Sequence, residues 1–179
     1  MASVLEDLEH TLSERLSPDE PHAVKRRIKL LQRSYYQGRI WATRQRPRID
    51  RLASAWLIRR FIDLGARFIW LAIPEDYPSE APGFDFDGAA FTHTGAKVTF
   101  EVLLASFGLT QDAALNRIGA LVHFLDVGGI PVPEAAGLET LIGGMRQRWI
   151  NRWINDDELL AEVEKIFDAF YQAFSGNNS

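Results

Sequence analysis

The chain has 179 residues, 46% apolar and 25% charged, which suits one globular domain with a proper core and excludes a disordered chain. It contains no cysteine, so disulfides, zinc fingers, iron–sulfur clusters and a thiol nucleophile are excluded; any metal would use imidazole, carboxylate, carbonyl or water. The formal charge is −4, yet residues 39–67 hold eight arginines against Asp50 and Asp63, a net +6 block. Guanidinium forks match oxyanions, but they serve equally to pair with acids on neighbouring helices.

The start, MASVLEDLEH, lacks the basic–apolar–small order of a signal peptide, and no apolar run reaches the length of a membrane span. A cytoplasmic protein that does not enter a membrane is expected. Leu5, Leu8, Leu12 and Leu16 form a helical stripe; Ser17-Pro18 breaks it, and Val24, Ile28, Leu31 and Tyr35 continue it to Gly38. Residues 1–38 are therefore expected to form a helical hairpin, and residues 39–179 the main domain.

Within that domain, 40–43 reads as a strand, and Asp50 as the cap of a helix to about Asp63, closed by Gly65. Residues 67–72 read as a second, buried strand, 73–89 as a Pro/Gly-rich loop and 90–93 as a third strand. Helices follow over 99–107, 111–125 and 134–154, with Gly143-Gly144 as a bend or break in the last. A final helix begins at Asn155-Asp156 with Leu159, Val163, Ile166, Phe170 and Phe174 on its apolar face. The expected fold class is α+β, predominantly helical with a small sheet of about three short strands.

Of four histidines, His10 and His22 lie among acids on expected surface helices and read as solvated. His93 precedes the Gly95 turn, Glu101 sits in the first turn of the next helix, and His123 and Asp126 are three apart on one helix face. Two imidazoles and two carboxylates from neighbouring elements suit Mn(II), Fe(II) or Zn(II). Each residue also has a structural explanation: Glu101 favours a helix start, His123 sits in an apolar run, and Asp126 precedes a Gly-Gly turn. Trp149 and Trp153, flanked by Arg146, Arg148 and Arg152, suit either base stacking or packing, and packing is favoured. A pI near 5.6 argues against nucleic acid as the main partner.

Trp41-Ala-Thr-Arg44 and Ile49-Asp50-Arg51-Leu-Ala-Ser-Ala-Trp56 through Asp63 resemble the opening signature of the chromate-resistance family, the ChrB-type C-terminal domain. Phe84-Asp85, His93-Thr-Gly95, Thr99-Phe100-Glu101, Leu121-Val-His123-Phe-Leu-Asp126 and Ala136-Gly137-Leu138 follow in the family's order, so the resemblance covers about 39–174. It implies a bacterial protein linked to chromate resistance, with Arg44, Asp50, Arg51, His93, Glu101, His123 and Asp126 as its recurring polar positions. Family members often carry a cysteine where this chain has Val98, so chromate reduction by a thiol there is excluded. Some 38 residues before the domain fall short of the family's winged-helix-like region, which argues against a stand-alone DNA-binding repressor.

The leading expectation is a metal-dependent enzyme. His93, Glu101, His123 and Asp126 would bind the metal, and Arg44, Asp50 and Arg51 would act on a small anionic substrate. The rival is a non-enzymatic oxyanion sensor using Arg44, Arg48, Arg51 and Arg59. A third is a partner module, a homodimer through the hairpin and the Trp149/Trp153 helix.

Overall fold

The computed structural model describes residues 21–151 and 154–176. Strands β1 (Ile40–Arg44) and β2 (Arg67–Leu71) pair in parallel, with Ile40 opposite Arg67 and Arg44 opposite Leu71. The crossover between them is helix α1 (Ile49–Leu57), which runs on as one π-helical turn, Ile58–Ile62. After the sheet come α2 (Thr99–Ser106), α3 (Ala113–Val127), α4 (Ala135–Ile150) and α5 (Asp156–Gly176). The fold is α+β and dominated by helix.

Every residue of α1 from Asp50 to Leu57 is buried, because α2, α3 and α5 all pack against it. Its small residues, Ala53, Ser54 and Ala55, let those helices approach. Trp56 lies between Phe100 of α2 and Phe167 of α5, with ring centroids 6.5 and 5.4 Å away, and its indole N–H reaches Asp168 at 2.9 Å. Burial of each such aromatic side chain contributes about 1.5–3 kcal/mol. The amphipathic face expected on the last helix is present: Leu159 and Val163 are buried, and Ile166, Phe170 and Phe174 pack at the core's edge.

A carboxylate pins the far end of α1. Asp63 is 0% exposed and accepts from the backbone N–H groups of Gly38, Arg39 and Gly65 and from the Trp41 indole, at 2.7–3.1 Å. It ties the entry to β1 to the turn before β2.

Several sequence expectations are corrected. Among the described residues the sheet has two strands: the segment expected as a third makes only the isolated bridge Phe84–Phe91. Positive φ at Asp85 and Gly88 curls the chain there, so the pairing does not propagate. The second arm of the expected hairpin forms no helix from Pro21 to Gln32 and has a single 3₁₀ turn at Arg33–Tyr35. Its backbone is used elsewhere: Val24 N–H donates to His93 O, Gly95 N–H to Val24 O, and Leu31 N–H to Ser106 O, at 2.7–2.9 Å. Long-range pairing thus wins over the helical spacing of Val24, Ile28 and Leu31. The first arm, residues 1–20, lies outside the described residues. Gly143-Gly144 does not split α4, which runs unbroken from Ala135 to Ile150.

Candidate functional site

Three buried elements converge where α1 begins. Asp50 lies in the first turn of α1, His93 follows the Phe84–Phe91 bridge, and Asp126 ends α3. His93 Nε2 is 2.9 Å from Asp50 Oδ2 and 3.3 Å from Asp126 Oδ2, and side-chain exposures are 9%, 1% and 6%. One donor atom from each residue lies within 4.8 Å of the other two.

Asp50 does not cap its own helix, as the sequence suggested; α1 has Arg48 at its N-cap, without a side-chain cap bond. The carboxylate instead caps α2, accepting from Thr99 N–H at 2.9 Å and Phe100 N–H at 2.9 Å. The reason is local. The N-cap of α2 is Val98, which has no side-chain acceptor, so a neighbouring helix satisfies the first orphan N–H groups. Glu101 supplies the other half of the cap by accepting from Val98 N–H at 3.1 Å.

Asp85 completes the cluster, a role that its place beside Phe84 in the sequence does not reveal. It is 1% exposed with φ +59°, a left-handed conformation that aspartate tolerates better than most residues. Its carboxylate accepts from Thr99 Oγ1 at 2.7 Å and lies 3.8 Å from His93 Nε2. Residue type and position alone do not set it apart from the other acids of this Pro/Gly-rich loop.

Burial alone would pull the His93 imidazole down. Its hydrogen bonds to Asp126 and Asp50, with the charges of Asp50 and Asp85, outweigh that and push it from 6.5 up to about 11. Asp126 is pushed up from its ordinary 3.8, chiefly by burial, with the His93 imidazole opposing. A proton is therefore held between His93 and its carboxylates.

The other expected ligands form a separate pair. His123 Nδ1 lies 2.6 Å from Glu101 Oε1, and both side chains are about a quarter to a third exposed. The four side chains thus fall into two clusters, His93 with Asp126 and Glu101 with His123, and Asp50 joins the first.

Most of the arginine block is engaged. Arg51 is 1% exposed, with Nε 3.2 Å from Asp85 Oδ2 and an Nη2–H donated to the Asp85 carbonyl at 2.5 Å. Arg59 pairs with Glu164 at 2.7 Å and stacks on Phe68, and Arg60 lies 3.5 Å from Asp168. Arg44 is half-buried at the end of β1, and Arg48 is exposed. His22 is exposed and lies 3.2 Å from Asp87; His10 is outside the described residues. Trp149 packs at the core's edge under Arg46, 5.8 Å from the ring centroid, whereas Arg152 and Trp153 lie outside the described residues.

Fold and site together define a helix-dominated α+β domain built around a buried imidazole–carboxylate cluster. The family model described as ChrB, C-terminal domain, matches residues 41–174, and the chain belongs to that family, the chromate-resistance family its motifs resemble. Protein ChrB of Cupriavidus metallidurans strain CH34 is 54% identical over 160 residues, which cover 89% of this chain and 48% of the relative. The chain thus spans about half the length of the curated relative it matches. No solved structure matches. Among the described residues, no helix is long and apolar enough to cross a membrane.

Proposed function

We propose that this domain binds one divalent ion, Mn(II), Fe(II) or Zn(II), through Asp50, His93 and Asp126, and acts on a small anionic ligand beside it. The observation that carries the reading is the spacing of the three donors. Two ligands each about 2.1 Å from one ion are ~3.0 Å apart at a right angle and ~3.4 Å apart at a tetrahedral angle. The His93–Asp50 separation of 2.9 Å is close to the first value and the His93–Asp126 separation of 3.3 Å close to the second.

Charge supports the same reading. With His93 protonated the three groups sum to −1; a divalent ion in place of that proton brings them to zero. One imidazole with two carboxylates is a hard, mixed donor set that leaves positions for water or a ligand. A bound ion there would supply Lewis acidity or an activated water. The protein's part is to hold the donors still: two α2 N–H groups fix Asp50, and Val24 braces the His93 backbone.

In this reading Glu101 and His123 are not ligands. Glu101 orients the His123 ring through Nδ1, beside the ion rather than on it. The four-arginine sensor is the weaker account, because Arg51 and Arg59 are turned to Asp85 and Glu164.

The test is elemental analysis of protein purified without an affinity metal and then reconstituted. About one equivalent per chain is expected, lost in His93→Ala and retained in His123→Ala. Metal retained in His93→Ala, or none in the wild type after reconstitution, would overturn the assignment.

A further inference from the structure

Charge reverses between two adjacent stretches of this chain. Residues 1–20, outside the described residues, hold six acids and one arginine, whereas residues 21–39 hold six lysines and arginines and no acid. In the second stretch Arg26, Arg33 and Arg39 donate to the carbonyls of Ala90, Phe61 and Glu80, which fixes them in place without neutralising them. Arg27 and Lys29 are exposed and have no acidic partner among the described residues.

Both of these cations line a cavity of about 490 Å³ between the 21–32 arm and α2. Phe91 and Val102 also line it and are each 3% exposed, and Ile28 and Leu31 add half-buried aliphatic surface. The lining is thus apolar where it is buried and cationic where it is exposed, and no acid contributes to it. An occupant has to bring aliphatic side chains and negative charge together. Amphipathic helices enter such grooves on anchors set three and four residues apart. Leu5, Leu8, Leu12 and Leu16 have that spacing, in the acidic stretch.

Reach favours an occupant from the same chain. Pro21 is buried, and Arg26, five residues on, already lines the cavity. Ten residues separate Leu16 from Arg26, enough to span up to about 33 Å. A segment tethered that closely is present at an effective concentration on the order of millimolar, ahead of a partner from solution.

We propose that the leucine stripe of residues 5–16 docks in this cavity, with the acids of the segment facing Arg27 and Lys29. The docked segment holds down the arm that braces the site, since Val24 N–H donates to His93 O at 2.9 Å.

The chain has no cysteine, so Ser13→Cys accepts a single nitroxide label, and amide NMR line widths of the full chain read where it lies. Broadening at Ile28, Phe91 and Val102 is expected. It should be lost in Leu8→Glu/Leu12→Glu and weakened by Arg27→Glu/Lys29→Glu. The remainder of each amide spectrum reports that the variant is folded. Isotope-labelled chain without the nitroxide, mixed with nitroxide-labelled chain without the isotope, should stay sharp. Broadening in that mixture would assign the cavity to a second copy and overturn the proposal. No broadening in the singly labelled chain, or broadening that survives Leu8→Glu/Leu12→Glu, would overturn it as well.

Discussion

Asp50 in the first turn of α1 and Asp63 just past its end are both 0% exposed, and they do different work. Asp63 is surrounded by four N–H donors and, among the described residues, no titratable partner, so its carboxylate is fully used in fastening β1 to the turn before β2. Asp50 accepts two N–H groups and then meets an imidazole that also lies against Asp126 and Asp85. Burial of a carboxylate therefore does not mark a reactive site; the company it keeps does. A cluster that shares a proton among titratable groups can exchange that proton for a cation, whereas a carboxylate saturated by amides cannot.

The comparison breaks most visibly by mutation at Asp63. Asp63→Ala leaves the buried Trp41 indole N–H and three part-buried backbone N–H groups without their acceptor and is expected to cost about 3 kcal/mol in chemical denaturation, with Asp63→Asn recovering part of it. Metal content per folded chain should not change. Asp50→Asn is expected to cost less, about 1–2 kcal/mol, because the amide oxygen still accepts from one of the two α2 N–H groups, but to lose the metal. If the two variants swapped these outcomes, the assignment of roles would be reversed.

The pH response sharpens the contrast. His93 rises from 6.5 to about 11 in the folded chain, so its contribution to stability is complete below 6.5 and is lost as pH climbs through about 11. Asp126, also raised, acts in the same direction. Metal-free protein should therefore unfold more easily as pH rises above neutrality, and His93→Gln should flatten that slope in thermal melts. The smallest effect is expected at the rim of the arginine block. Glu164→Gln removes the partly exposed pair with Arg59 and should change stability by no more than about 1 kcal/mol.

Local signals made much of the helical part legible. The stripe through Leu159, Val163, Ile166 and Phe170, the Gly65 stop and the helical run over 111–125 set α5, α1 and α3 to within a few residues, since short-range spacing determines those elements. What failed was set at long range. Val24 and Leu31 are spaced as in a helix but bond to His93 and Ser106, more than 60 residues away in sequence. The site divides the same way. His93 and Asp126 stand out by residue type and motif order, and Asp50 by its place in the signature. That Asp50 caps α2, or that Glu101 turns to His123, depends on Val98 lacking an acceptor and on how three helices meet. Asp85 became visible only through its burial and its left-handed backbone.

The most direct test of the central claim is titration of Zn(II) or Mn(II) into metal-free protein in buffers of different ionisation enthalpy near neutral pH. Because His93 holds a proton that the ion must displace, binding should release about one proton per ion, tighten as pH rises, and vanish in His93→Ala. Binding without proton release, or undiminished in His93→Ala, would show that the ion sits elsewhere and that Asp50, His93 and Asp126 form a buried ion cluster with a structural role alone.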